Sequence, residues 1–585
     1  MSATLETTAT TAASRRAPRT GQTDDVQAAR HWAAQHEGRP LGRIVNVLVD
    51  GSGRVGPLSY LAPAGMELSV GAAVEVPFGK RQAYGIVLGP GDRKKATREI
   101  TAQFGQRASA SEIAAAQLIA NRHFVELDKV VRRLSPTSGK GADPTDAGPV
   151  ALAGEATEQP LTPDLSRRDD DYVDVLRRFA ARPPGQDPAH WAARIAAGLA
   201  EEGQVLVLCP TLDLVDDVVA SFTSGAARID SRASRGAWRG FNEGTVRVGV
   251  GTRSAALFSA PELAAIVVVE QDRAGHIEPR MPNTHARDVA LLRSLVCDVP
   301  LISTGSVPTP PALHSGVKLI ETADVWPEIT LIDRSQLHGS QRTLPVELAS
   351  AIARELKAGR TPLALIERAR AIHRCDRCNQ VRRHEDCPTA VDCSYTFDAC
   401  GTCGETDTRP VGWDEARLHK LFNGQVTPVT LAALQTARNV GLVIIYDLDA
   451  VWRTSDLSPD TRAASLLMTA ATAAGQDGTV IALTSETGRD TVVALADKRS
   501  LRTLGYTLWQ RYQRESLPPF GRLVTVRVAR KNPPDVSRWP GRVLGPRRTP
   551  DGFEILVQIA PDQLARLAPH VGRLQRGGRC RITVG

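Results

Sequence analysis

The sequence predicts a multidomain α/β protein built around two parallel-sheet lobes, and three observations predict it. Short, mainly apolar strands alternate with helical stretches in two successive sets, the signature of a wound parallel sheet. A cysteine-crowded stretch interrupts the second set, so it reads as an insertion. The flanks read differently: short alternating strands precede the lobes, and a mixture of strands and helices follows them.

The elements run in this order. Residues 1–40 are Thr, Ala and polar residues without sustained periodicity, and are expected to form a disordered tail. From 41 to 104, RIVNVLVD, AAVEVPFG and AYGIVLG are strand-like runs between Gly and Pro turn signals, giving a small β-rich domain. In 105–135, ASASEIAAAQLIANRHFVELDKVVRRL has apolar residues at spacings of three and four, which makes two helices. They read either as a winged-helix-like segment or as a plain packing unit. Residues 136–172 are rich in Pro, Gly, Thr and Asp, and read as a linker. The first lobe is placed at 173–340: GQVLVLCPTLDLVDDVVASF is a buried strand then a helix, and TVRVGVGTRSAALF, LAAIVVVEQD and VPLISTGSVPTP are further strands. The second lobe, 341–485, starts with the helix VELASAIARELKAG and the strand TPLALIE. It resumes with VGLVIIYDLD after an insertion at 373–410. Residues 486–585 are left as an α+β C-terminal domain.

The chain has 585 residues, long enough for several cores, and carries 72 basic against 64 acidic side chains, a net charge of +8. That balance permits a polyanionic partner without requiring one. No run of eighteen apolar residues occurs, and the N-terminal stretch lacks the apolar centre of a secretory signal, so a cytoplasmic location is expected.

Six of the nine cysteines fall in CDRCNQVRRHEDCPTAVDCSYTFDACGTC. Cys375-x2-Cys378 and Cys400-x2-Cys403 form two knuckles at zinc-ribbon spacing, able to close one tetrahedral all-thiolate site. Cys387 and Cys393 are too far apart for a knuckle. A second zinc there needs further ligands, with His373 and His384 the nearest imidazoles; the alternative is a pair of reduced thiols in a tight loop.

VPFGKRQAYGIVLG, VLVLCPTLDLV, VGVGTRSAALF, HARDVALLR, the cysteine insertion, RESLPPFGRL and RVLGP occur in an order that resembles the primosomal protein N-prime (PriA) family, from about residue 41 onward. The resemblance implies two RecA-like lobes of a superfamily-two helicase core, a zinc-binding insertion and an N-terminal DNA-binding domain. It further implies a replication-restart role at abandoned or stalled forks, leading to primosome assembly and reloading of the replicative helicase. The partners it implies are branched fork DNA, single-stranded DNA, single-stranded DNA-binding protein, and the replicative helicase or its loader.

Against the family's ATP-handling motifs the sequence is degenerate. A P-loop needs close-approaching glycines, a phosphate Lys and a Mg²⁺-binding Ser or Thr. The corresponding stretch is ARPPGQDPAHWAARI, and neither GK pair, at Gly79 and at Gly139, is followed by Ser or Thr. The acidic strand end reads Val269-Glu270-Gln271-Asp272, and the arginine-bearing motif has become LLMTAATAAGQDG. Phosphoryl transfer depends on these electrostatic groups, so no catalytic or nucleotide-binding residue is assigned and ATPase activity is expected to be lost. The family's 3′-end-binding positions match Leu58-Ser59-Tyr60, leaving Tyr60 to stack on a base. Lys80, Arg81, Arg253 and Arg287 are the candidate phosphate contacts. Two other readings stand beside this one: an active ATP-dependent 3′–5′ helicase, and a zinc-ribbon scaffold without a DNA role.

Overall fold

A computed structural model of the chain describes residues 21–50, 56–134, 149–153, 177–183, 186–278, 284–313, 318–320, 327–366, 372–378, 381–382, 403, 405–411, 413, 415–452, 458–497, 499–549, 552–576 and 580–584. The first domain is a five-stranded antiparallel sheet in which Ala72–Phe78 and Arg81–Pro90 form a hairpin. Phe78 pairs with Arg81, so Gly79 and Lys80 make a two-residue turn, and Gly79 takes the left-handed φ of +64° that such a turn asks for. One face of the sheet encloses Val45, Val47, Val74, Val76 and Val87; the other meets the helices Gly21–His36 and Ala110–Arg122.

Those helices also join the sheet to the first lobe. Glu112 forms a buried ion pair with Arg293, 2.8 Å away on the lobe helix Ala286–Cys297, and accepts the Ser259 hydroxyl at 2.6 Å. Arg30 donates to the Leu295 carbonyl and to Asp298, each at 2.6 Å. The expected tail at 1–40 is thereby corrected. Residues 1–20 lie outside the described residues, but Gly21–His36 is a helix whose Val26 and Ala33 are buried against its neighbours.

Lobe one is a seven-stranded sheet, parallel throughout, with Gln204–Cys209 and Leu263–Val268 near its centre. Alternate residues feed cores on opposite faces: Leu206 and Leu208 on one, Val205 and Val207 on the other. Burial on both faces explains why the strands read as unbroken apolar runs. Lobe two is a five-stranded parallel sheet in the order Glu328–Asp333, Thr479–Thr484, Leu442–Ile445, Leu363–Ile366, Thr427–Thr430. Its first strand lies before residue 341, so the lobe boundary expected there moves back to 328 or earlier. The helices Asp490–Ala496 and Leu501–Arg514 bury Val492, Leu495, Leu504 and Leu508 in lobe two's core, which moves them out of the C-terminal domain. That domain is the four-stranded antiparallel sheet from Arg522 onward with the helix Leu564–Arg576. Among the described residues, no helix is long and apolar enough to cross a membrane.

Candidate functional site

In the N-terminal sheet, Lys80 and Arg81 stand exposed on the hairpin turn, where their charges are open to a polyanion. Arg98 joins them, donating to the carbonyls of Pro77 at 3.5 Å and Gly79 at 3.2 Å. Tyr60 departs from expectation. Its ring is in the sheet's core, 3% exposed, and its hydroxyl donates to the Pro77 carbonyl at 3.2 Å, so no ring face is free for a base. Burial raises its phenol above the ordinary value, opposed by the nearby Arg98 charge. The physical reason is register: Tyr60 pairs with Val45, and its side chain joins those of Val45 and Val47 on the inner face.

A nucleotide's phosphates would be sought in lobe one between the strand Arg177–Ala181 and the helix Pro188–Leu199, because a helix N-terminus with free N–H groups attracts anions. Here the chain supplies its own anion. Asp187 caps the helix, its Oδ1 accepting from the N–H groups of Ala189 at 2.9 Å and His190 at 3.1 Å. Its Oδ2 accepts from Arg438 of lobe two at 2.9 Å. Beside it, Arg182 is 1% exposed and donates through Nε and Nη2 to both oxygens of Glu270, at 2.8 and 3.3 Å. Its Nη1 donates to the Gln186 carbonyl at 2.7 Å and to the Thr472 hydroxyl of lobe two at 3.2 Å. Arg273 approaches Glu270 from another side at 3.3 Å.

Electrostatics follow from this packing. Burial alone would raise the Glu270 carboxyl, but Arg182 and Arg273 outweigh it and hold it below its ordinary value. Asp187 is likewise held down: burial opposes ionisation, and Arg438 with the two backbone N–H groups overcomes it. Asp272 goes the other way, raised by burial and by the Glu270 charge, and accepts the Ser465 hydroxyl of lobe two at 2.5 Å. Ser465 and Thr472 lie on the helix Pro459–Ala474, which overlaps the stretch standing where the family has its arginine motif. Three side-chain contacts thus join the lobes beside the N-terminus of the helix Pro188–Leu199.

Arg253 and Arg287 are corrected as free phosphate contacts. Arg253 donates to the Gly275 carbonyl at 3.1 Å and lies 3.6 Å from Glu278. Arg287 donates to Gln271 at 3.0 Å and to Asp288. Although burial disfavours its ionised form, the Asp288 carboxyl is held down at about 2, chiefly by the Arg287 charge. GTRSA and HARD therefore serve as struts and turns: His285 caps its helix by accepting from the Arg287 N–H at 3.1 Å.

In the insertion, Cys375 ends the strand Ile372–Cys375, which pairs with Val381–Arg382 and Thr408–Val411 in a small antiparallel sheet. The sulfurs of Cys375, Cys378 and Cys403 converge within 4.8 Å of one another, with Cys375 and Cys403 3.5 Å apart. Thiolates sharing a tetrahedral metal at about 2.3 Å stand roughly 3.8 Å from one another. The trio therefore suits a soft or borderline metal ion. Cys387, Cys393, Cys400 and His384 lie outside the described residues, as does any second site built on them; of His373 only the backbone is described. Cys209, Cys297 and Cys580 take no part. Burial pushes the Cys209 thiol far up, and those of Cys297 and Cys580 up to about 12 and about 11.

Two sets of residues escape sequence reading. Arg182 and Asp187 sit in a stretch read only for what it lacks, although Asp-Pro before an apolar helical run is itself a helix-start signal. Tyr84 and Phe104 are exposed on the outer face of the first sheet, and strand alternation in QAYGIVL would have put Tyr84 opposite the buried Ala83.

Residues 46–136 match the family model of the PriA 3′DNA-binding domain (3'BD), so the sheet and the helices after it form one recognised unit. The chain is 25% identical over 336 residues to the replication restart protein PriA of Bacillus subtilis (strain 168), covering 52% of this chain and 41% of that protein. It thus spans less than half of that relative's length. Solved structures align more loosely: Saccharomyces cerevisiae Dbp5 bound to RNA and ADP BeF3 gives a TM-score of 0.29 at 11% identity, covering 56% of this chain and 83% of Dbp5. The DUF1998 helicase MrfA bound to DNA and AMPPNP gives 0.29 at 12% identity, covering 57% of this chain and 48% of MrfA. The N-terminal domain match and the half-chain similarity together make the chain a PriA-like protein.

Proposed function

We propose that the chain is a replication-restart factor that grips branched DNA at abandoned or stalled forks and promotes primosome assembly without turning over ATP. One observation carries the reading. A PriA-type DNA-binding domain is joined by a buried ion pair, Glu112 with Arg293, to a lobe in which Asp187 caps the helix Pro188–Leu199 and Arg182 pairs with Glu270, an arrangement that supports a lobe without nucleotide turnover. Affinity for nucleic acid comes mainly from phosphate neutralisation, which needs no chemistry, so a stalled motor still serves as a clamp. On this reading single-stranded DNA-binding protein and the replicative helicase or its loader are the protein partners, and the site of action is the cytoplasm. Zinc is the ion proposed for the thiol cluster, with Cys400 as fourth ligand and Cys387 and Cys393 as candidates for a second site. The insertion then supplies a folded surface for fork and primosome contacts.

The test is a titration of fork-shaped and linear duplex DNA of equal length at several salt concentrations. Tighter binding of the fork at every salt concentration supports the reading. Equal and weak binding of both would favour the zinc-ribbon scaffold without a DNA role.

A further inference from the structure

Three aromatic rings stand more than half exposed among the described residues, and two of them, Tyr84 at 57% and Phe104 at 55%, are neighbours with centroids 5.3 Å apart and planes inclined at 51°. They rise from the strands Arg81–Pro90 and Ala102–Gln106, on the face of the first sheet that carries Ile86. Ile86 is buried under the helices Gly21–His36 and Ala110–Arg122, whereas Tyr84, two residues nearer the turn, is left uncovered. Exposing two large rings side by side gives up burial that the fold could otherwise have used.

We infer that Tyr84 and Phe104 form a stacking platform for unpaired bases of single-stranded nucleic acid, separate from the position of the buried Tyr60. The inference rests on the DNA-binding reading above. Three features select this occupant. Lys80 and Arg81 lie three to four residues before Tyr84 in the same hairpin, about 10 Å away, and with Arg98 they place positive charge where a strand crossing the rings would carry its phosphates. Around the rings stand Gln82, Glu75 and Thr101, with the Thr101 hydroxyl donating to Glu75 at 3.3 Å, so the patch is aromatic rather than broadly apolar. Two rings alone cover far less than the roughly 1,000 Å² a stable protein interface needs, yet each presents a π-face the size of a base. The mutual tilt prevents a base from being sandwiched between the rings, so each receives a base on its outer face.

The experiment uses the full chain with fluorescein-labelled dT20 and an abasic oligomer of the same length, at several salt concentrations. Tyr84→Ala with Phe104→Ala is expected to weaken dT20 binding by about tenfold or more, as the loss of two stacked bases requires. Its slope of log affinity against log salt stays unchanged, and the abasic oligomer binds as before. Tyr84→Phe is expected to bind like the parent, with circular dichroism confirming that each variant is folded. Unchanged dT20 affinity in the double variant, while the parent binds DNA, overturns the platform and leaves the DNA-binding reading standing. A parent chain that binds neither dT20 nor fork overturns both.

Discussion

Arg182 and Glu270 form an ion pair in lobe one next to the contact of Arg182 with Thr472 of lobe two. Both are buried, and breaking a buried ion pair leaves one charge without its partner, at a cost of about 3–5 kcal/mol. Glu270→Gln is accordingly expected to lower the urea midpoint of the lobes markedly, while Lys80→Ala on the exposed turn leaves it nearly unchanged. The pH dependence has a definite sign. The folded-state value of Glu270 is depressed, so its contribution is fully present above the ordinary carboxylate range and disappears as pH falls through that folded value. Asp187 adds a smaller contribution of the same sign, since its pair with Arg438 is partly exposed to solvent. Urea melts at pH 7 and pH 4 check this: the parent is expected to lose more stability on acidification than Glu270→Gln. An equal loss would place the acid sensitivity elsewhere. Sequence alone could not have paired Arg182 with Glu270, because they lie 88 positions apart and their approach depends on how the sheet is wound. The absence of a GK[ST] run is legible by contrast, since a short motif needs no tertiary information.

The elements were the most legible level. Strands buried on both faces announced themselves as apolar runs, and the two-residue turn at Gly79 and Lys80 was visible in VPFGKRQ. Residues 21–36 were missed because their helix is marked by few apolar positions, chiefly Val26, Ala29 and Ala33, and becomes stable by packing on the helix Ala110–Arg122. The cysteine insertion shows both outcomes. Knuckle spacing pointed to Cys375, Cys378 and Cys403 as neighbours, and their sulfurs converge. On the proposed zinc reading, a module with so small a sheet would depend on the metal for folding. Elemental analysis of the purified chain is expected to find at least one zinc per molecule, and Cys375→Ser to lose it. Protease cleavage should then appear within 372–411 while the lobes stay resistant; a variant that keeps its zinc and its resistance would show that Cys375 is no ligand.

At the scale of the whole molecule, side-chain contacts join the N-terminal domain to lobe one and lobe one to lobe two. Asp187 with Arg438, Arg182 with Thr472, and Asp272 with Ser465 tie the lobes through side chains. The succession of an antiparallel sheet and two parallel sheets was readable because each keeps its own periodicity. Their boundaries at 341 and 486 were not: the strand Glu328–Asp333 and the helix Leu501–Arg514 join lobe two only through long-range packing. Whether this arrangement handles triphosphate is the decisive property of the molecule. Its most direct test is ATP hydrolysis by the purified chain in the presence of saturating fork DNA and Mg²⁺, against a mock preparation. The predicted result is turnover no greater than the mock's with the fork bound; fork-stimulated hydrolysis that co-purifies with the chain through successive columns would contradict it.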